Sequence, residues 1–206
     1  MSKDDRTRWD ARYEAGDYGN RTHPSVLLEQ MRPLWAPPAV NARALDLACG
    51  TGRNAVFLAG QGYQVDAVDI SSKALALGAQ RAAEAGVEVN WQEQDLDDPK
   101  LDSGYALIIV VRYADLELVK RLPELLQPGG LLLVEAHLSG LLFNNELDEN
   151  GAPLIGGPTG ERFRLAPGSL AAACSSLIEL HQTEAQIADP DGRLMALAQF
   201  VGQRAL

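Results

Sequence analysis

Short apolar runs recur along the chain, and the intervals between them carry helical spacing. Arg43–Leu47 reads as a first strand and Arg53–Gln61 as a helix that Gly62 stops. Tyr63–Asp69 is a second strand, and Ser71 or Ser72 caps a helix that runs to about Glu84 and ends at Gly86. Val87, Val89 and Trp91 alternate with Glu88, Asn90 and Gln92, so a third strand with unlike faces follows. Tyr105–Val111 is continuously apolar, as a central strand buried on both faces must be. A helix from Leu116 to Leu126 is broken at Pro123, and Gln127-Pro128-Gly129-Gly130 turns into a fifth strand, Leu131–Glu135. Residues 138–167 read as loop, with five glycines between 140 and 160. Gly168-Ser169 opens a short helix through Ser176. Ile178–Ala188 and Leu194–Val201 are two strands joined by the turn Asp189-Pro190-Asp191-Gly192.

Ahead of this series, residues 4–15 carry Trp9 and Tyr13 in helical spacing, and Gly16-Asp17-Tyr18-Gly19-Asn20 breaks it. A second helix is expected with Pro24 in its first turn, running through Val26, Leu27, Leu28 and Met31, with Pro33, Pro37 and Pro38 ending it. The alternation predicts an α/β fold: a Rossmann-like, doubly wound, mostly parallel seven-stranded sheet with a C-terminal antiparallel hairpin. At 206 residues the expectation is one domain over 1–206, with 1–40 a helical lid and 41–206 the core.

Charge and composition narrow the partners. The net charge of −10 opposes a polyanion, so nucleic acid is not expected as substrate. Cys49 and Cys174 are too few and too scattered for a disulfide framework or a zinc cluster, and no metal is expected. Met1–Arg6 lacks an apolar signal core and no run approaches membrane-spanning length, which points to no membrane partner and a reducing, cytoplasmic setting. Nothing in the sequence sets the oligomeric state.

The chemistry concentrates at Ala44-Leu45-Asp46-Leu47-Ala48-Cys49-Gly50-Thr51-Gly52-Arg53-Asn54, where an apolar approach ends in a glycine-bearing turn and a helix follows. In an open α/β sheet, ligands bind outside the carboxyl ends of the strands. Four such ends matter: Asp46–Gly52, Asp69-Ile70, Gln94-Asp95-Leu96 and Val111-Arg112-Tyr113. Asp69 stands where a carboxylate can bridge vicinal ribose hydroxyls, and Asp95 where one can receive an exocyclic amine. Gly50-x-Gly52-x-x-Ala55 with Asp69 also fits a dinucleotide fingerprint.

The wider spacing, Asp-x-Ala-x-Gly-x-Gly, resembles motif I of the class I S-adenosylmethionine (SAM) methyltransferases. A pyrophosphate beside Asp46 would meet a like charge, and the ammonium of SAM an opposite one. The chain further resembles bacterial methyltransferases related to the tellurite-resistance and thiopurine enzymes, through Trp9-Asp10-x-Arg12-Tyr13, Asp46–Asn54, Val68-Asp69-Ile-Ser71, Gln94-Asp95 and Leu126–Gly130. The resemblance covers residues 8–136, with only the closing hairpin matching beyond. It implies SAM as cofactor and a binding set of Trp9, Tyr18, Asp46, Ala48, Cys49, Gly50, Gly52, Asn54, Asp69, Ile70, Gln94, Asp95, Leu96 and Val111. Within that set Gly50, Gly52 and Asn54 line the methionine side, Asp69 and Ile70 hold the ribose, and Asp95 and Leu96 flank adenine. Trp9 and Tyr18 have a second reading, as staples holding a helical lid to the sheet. Cys49 reads as a small packing residue.

Two departures stand out. Ala48 replaces the commonest first glycine, a small-for-small change expected to be tolerated, and Ala106 stands where an acid is frequent. The fourth strand ends in Val-Arg-Tyr, not the Asn/Asp-Pro-Pro-Tyr of enzymes that methylate base amines. The expected acceptor is a small molecule, a thiol or chalcogen oxyanion among them. Arg112 and Tyr113 could orient an anionic or phenolic acceptor, although Arg112 could equally pair with Glu135. His137 is the best placed of the three histidines for a general base, or else it bonds a loop carbonyl. Two other readings stay open: an NAD-linked oxidoreductase, and a non-catalytic SAM-sensing or interaction protein.

Overall fold

The computed structural model describes residues 3–17, 21–36, 38–140, 155–158 and 160–206. Tyr18, Gly19 and Asn20, Pro37, and 141–154 of the glycine-rich segment lie outside the described residues. Strands β1 (Arg43–Leu47), β2 (Gln64–Asp69), β3 (Asn90–Glu93), β4 (Tyr105–Val111), β5 (Leu126–His137), β6 (Ile155–Gly156), β7 (Ile178–Ala188) and β8 (Leu194–Gln203) make one sheet. The order is β3-β2-β1-β4-β5-β8, with β7 on the far side of β8. β1 to β5 are mutually parallel, and β8 runs antiparallel to both β5 and β7.

Alternation along the central strands sends side chains into two apolar layers. Leu45, Leu47, Ile108, Val110, Leu132 and Val134 pack on one face against α6 (Leu116–Arg121) and α7 (Ser169–Ala173). Ala44, Leu107, Ile109, Leu131 and Leu133 pack on the other with α2 (Val26–Gln30), α3 (Arg32–Trp35), α4 (Arg53–Gly60) and α5 (Ser72–Ala85). The helix starts follow their caps: Ser71 Oγ accepts the Ala74 amide at 3.1 Å and Asp115 Oδ1 accepts the Leu118 amide at 3.0 Å. Among the described residues no helix is long and apolar enough to cross a membrane.

Four expectations change. The Pro128-Gly129-Gly130 stretch lies inside β5, which starts at Leu126; Tyr105 pairs with Leu126, and the register slips before Leu107 pairs with Leu131. β5 spans five positions there against two on β4, and Gly129, at φ 75°, lies in this irregular stretch. The third strand begins only at Asn90, opposite Asp66 of β2. Pro24 precedes the α2 N-cap, Ser25, and Pro33 opens the separate helix α3 instead of ending α2. Among the described residues the sheet has eight strands, not seven. The start of β8 projects beyond the end of β5, and β6 satisfies its exposed backbone at Leu194 and Met195.

One side chain ties the edge strand to two helices. A Cβ at Gly78 of α5 would lie 2.6 Å from the Trp91 ring, and one at Gly52, before α4, would lie 2.2 Å from it. The indole therefore fills the space that both glycines leave. In an open helix Gly→Ala stabilises by roughly 0.5–1 kcal/mol. Here Gly78→Ala is expected to lower stability by about 1–3 kcal/mol through overpacking. Thermal melts should show the sign reversing in a Trp91→Ala background.

Candidate active site

The site begins where β1 ends. Three alternate residues of the following turn adopt left-handed backbone: Ala48 at φ 52°, Gly50 at 54° and Gly52 at 70°. The Cys49 amide donates to the Val68 carbonyl at 3.1 Å, which holds the turn against β2. Ala48 is therefore not a neutral replacement for glycine, since a β-carbon in this region costs about 1–2 kcal/mol. The buried Cys49 thiol is pushed up by burial, then by Asp69 and Asp46, which fits a packing role and not a nucleophilic one.

Two buried carboxyls flank the turn. Asp46 is 1% exposed, and its Oδ2 has no hydrogen-bond partner. Burial raises its pKa to about 8, against the pull of Arg53 and of a hydrogen bond from the Ala55 amide, with Asp69 adding to the rise. Asp69 Oδ2 accepts the Gly50 amide at 2.8 Å and Oδ1 the Ser71 amide at 2.9 Å. Burial raises its pKa as well, in spite of the amides that favour its charge. The amides of Ser71, Gly50 and Ile70 all favour the charged carboxylate, which thereby clamps the turn to the start of α5.

The remaining expected donor residues divide. Ile70 and Val111 are buried at their strand ends. Asn54 is turned to the scaffold: its Oδ1 accepts the Ser25 amide at 2.8 Å and ties the start of α2 to α4. The Gln94 side chain is engaged with its own loop, donating to Gln92 at 2.7 Å and accepting the Lys100 amide at 2.8 Å. Asp95 Oδ1 accepts the Asp97 amide, and Leu96 is 1% exposed within the core layer of Leu45 and Leu47.

The N-terminal helix α1 (Lys3–Glu14) lies across these strand ends. Asp10 Oδ1 accepts the Ser71 hydroxyl at 2.7 Å and the Lys73 amide at 3.3 Å. Arg6 pairs with Glu93 at 2.8 Å and Lys73 with Glu14 at 2.7 Å. Trp9 meets Tyr13, with ring centroids 6.2 Å apart, and Phe163 edge-on at 6.5 Å. A Cβ at Gly50 would lie 2.7 Å from the Tyr13 hydroxyl, so the helix touches the glycine turn itself.

Beyond β4 and β5 the charges change sign. Arg112, at φ 66°, donates from Nε to Glu135 at 2.5 Å and from Nη2 to Asp189 at 2.9 Å. The pairing with Glu135 is thus present. Tyr113 diverges from its neighbour: its phenol is pushed up by burial and then by Asp115, Asp95, Asp5 and Asp69. His137 is 7% exposed, and its Nδ1 lies 2.7 Å from where a Gly157 Cβ would stand. Burial, then the fields of Arg112, Arg164 and Arg21, lower its pKa to about 3. So weak a base is poorly matched to proton abstraction near neutrality, contrary to the expected role.

Sequence reasoning passed over Asp10, Arg21, Arg53, Glu135's partner Gln199, and Asp189. Asp189 carried a usable signal. A hairpin strand antiparallel to β5 must put its preceding turn at the carboxyl edge of the parallel strands, and Asp189 is in that turn.

Comparison with known proteins follows the same outline. Residues 44–130 match the family described as a methyltransferase domain. Hemagglutinin 1 of Eikenella corrodens is 28% identical over 128 residues, 59% of this chain and 43% of that protein. The ubiquinone biosynthesis O-methyltransferase of Caulobacter sp. (strain K31) is 35% identical over 104 residues, 47% of this chain and 41% of that protein. The chain thus spans less than half the length of the curated relatives it matches. Among solved structures, TehB from Haemophilus influenzae is similar with a TM-score of 0.68 at 18% identity, covering 94% of this chain and 66% of that one.

The buried Asp46 has a measurable consequence. Its folded-state pKa of about 8 lies above the ordinary carboxyl value of 3.8, so between those values the folded chain binds more protons than the unfolded one. Stability is complete at low pH and declines as pH rises through that window. Asp46→Asn removes the titration, and its stability relative to the parent is expected to grow by about 1 kcal/mol per pH unit from pH 5 to 8. Denaturant melts of the ligand-free protein across that range read the slope.

Proposed function

We propose, for a chain whose core is a class I SAM-dependent methyltransferase domain, that it transfers a methyl group from SAM to a small-molecule acceptor. The single observation that carries the donor site is Asp46. A carboxyl with a buried, unpartnered oxygen stands at the end of β1 beside a turn free of bulky side chains, and the ammonium of SAM supplies the partner it lacks. Asp69 would bond the ribose hydroxyls. Gly50 and Gly52 give the turn its left-handed backbone, and Asp95 would lie on the adenine side.

SAM supplies a sulfonium-bound methyl that leaves as a methyl cation equivalent, with S-adenosylhomocysteine as the neutral product. The chain's own work is then to align and to keep dry. Positioning of this kind can lower a barrier by roughly 7–11 kcal/mol. Asp46, ionised by an adjacent ammonium, fixes the amino-acid end, and Arg53 beside it offers charge to a carboxylate. Residues 1–40 act as a lid over the core of 41–206, with α1 excluding water from the strand ends. His137, held neutral, contributes polarity and shape. The chemistry therefore favours an acceptor that needs no strong base: a thiol or a chalcogen oxyanion. The TehB resemblance in fold is compatible with that choice.

The direct test pairs calorimetry with turnover. SAM and S-adenosylhomocysteine are expected to bind, and NAD not. Asp69→Ala should remove two hydrogen bonds worth on the order of 1.5–3 kcal/mol each and weaken both ligands at least tenfold. Methyl transfer to a panel of thiols, selenium and tellurium oxyanions, phenols, amines and tRNA identifies the acceptor. Turnover on tRNA alone would discard the small-molecule reading, and donor binding without any turnover would favour a SAM sensor.

The lid makes a separate prediction. Asp10→Ala cuts the bonds to Ser71 and Lys73 that dock α1 without touching the strand ends. Donor dissociation, followed by stopped-flow, should accelerate about tenfold, for a loss near 1.4 kcal/mol. An unchanged rate would leave α1 a structural cover.

A further inference from the structure

Two segments meet over the carboxyl edge of the sheet, each fixed from its own side. On one side α1 is held to the start of α5 and to the end of β3: Asp10 accepts the Ser71 hydroxyl at 2.7 Å, and Arg6 pairs with Glu93 at 2.8 Å. On the other side residues 164–165 are stapled to the end of β5. The Leu165 amide donates to the His137 carbonyl at 2.7 Å and the Ser139 amide to the Leu165 carbonyl at 2.9 Å. Arg164 Nη1 donates to the Leu138 carbonyl at 2.7 Å. Phe163, the residue before this staple, meets α1. Its ring lies edge-on to Trp9 at 6.5 Å, with the Arg8 guanidinium 5.8 Å and the Arg162 guanidinium 4.5 Å from its centroid. Asp5 joins the two arginines, bonded to Arg8 and 4.0 Å from Arg162.

The strand order sets what lies beneath. β1 and β4 stand between β2 and β5. A contact that joins a helix docked beside β2 and β3 to a segment docked on β5 therefore crosses the ends of both. The neighbours of α1 agree. A Cβ at Gly50, in the turn after β1, would lie 2.7 Å from the Tyr13 hydroxyl. Past the end of β4, the Tyr113 phenol is pushed up by burial first, and Asp5 is among the acids that add to it. Few groups hold α1 in this place. Trp9 and Tyr13 are its large apolar side chains, and its ion pairs with Glu93 and Lys73 are exposed on both partners. Exposed pairs contribute little, and an aromatic contact flanked by two guanidiniums outweighs them.

We propose that Phe163 is the latch of α1, a positioning residue that holds the helix over the site from the β5 side, so that the cleft opens when the Trp9–Phe163 contact parts. The proposal rests on the donor site described above and deepens it, since donor release then depends on a residue anchored beside His137. Phe163 suits this part because the backbone that follows it is fixed at once, through Arg164 and Leu165. Its ring is thereby held in place for α1 to close against. Coupling of this kind is reciprocal: α1 docked over a bound donor also steadies the segment at the end of β5.

The test reads α1 with and without ligand in the full chain. Without ligand, Phe163→Ala should speed amide hydrogen exchange across α1 about fivefold, the loss expected for one aromatic contact, and Phe163→Tyr should match the parent. In stopped-flow, S-adenosylhomocysteine should leave the Phe163→Ala variant about fivefold faster than the parent. In a Trp9→Ala background, Phe163→Ala should add nothing to either rate. The cycle cancels any contact of Trp9 with the donor itself, and any effect of Phe163 on the rest of the fold appears equally in both backgrounds. Equal acceleration in the two backgrounds overturns the proposal, as does α1 exchange indifferent to Phe163→Ala. Failure of S-adenosylhomocysteine to bind counts against the donor site alone, since exchange in the ligand-free chain still reads the latch.

Discussion

The backbone reversal from Ala48 to Gly52 constrains everything around it. Three alternate residues in left-handed conformation bring β1 to a stop and start α4 within a few residues. A turn this tight leaves backbone amides pointing inward, and Asp69 answers one of them across from β2. Trp91 reaches over from β3 to fill the space above Gly52, so the edge strand, two helices and the turn share one packing contact. Ala48 retains its strain because the pairing of Cys49 with Val68 and the packing on either side leave it no other conformation.

The turn divides the carboxyl edge into two regions. Toward β2 and β3 lie Asp46, Asp69 and Asp95, closed over by α1. Toward β5 and β8 lie Arg112, His137, Arg164 and Asp189. Arg112 and Tyr113 sit at the division, just past the end of β4. The tyrosine feels Asp115, Asp95, Asp5 and Asp69, while the arginine joins Glu135 and Asp189.

Much of this architecture could be read from residues alone. The boundaries of β1 and β4 follow directly from apolar runs closed by turn residues, because burial leaves a local pattern, and β7 is marked by the turn that ends it. Asp46, Gly50, Gly52 and Asp69 were legible for the same reason, since strand ends and glycine turns announce themselves within a few residues. Other features depended on partners distant in the chain. The bulge that moved the start of β5 back to Leu126 exists because Tyr105 pairs there, and no pattern in Gln127-Pro128-Gly129-Gly130 distinguishes a bulge from a turn. β6 exists only because β8 outruns β5.

Side-chain roles at the site divide in the same way. Asn54 and Gln94 occupy expected positions at a turn and a strand end, yet their amides are engaged by Ser25 and by the loop to Lys100. His137 stands at a strand end where a base is useful, but its basicity is set by three arginines from other segments and by burial. The composition of each strand determined the fold class, the glycine turn and the acids at the strand ends, because those are local consequences of periodicity and conformational freedom. Tertiary structure decided which of those groups are charged, which are already bonded and which face one another, because desolvation and Coulomb fields depend on neighbours that the chain brings together only when folded.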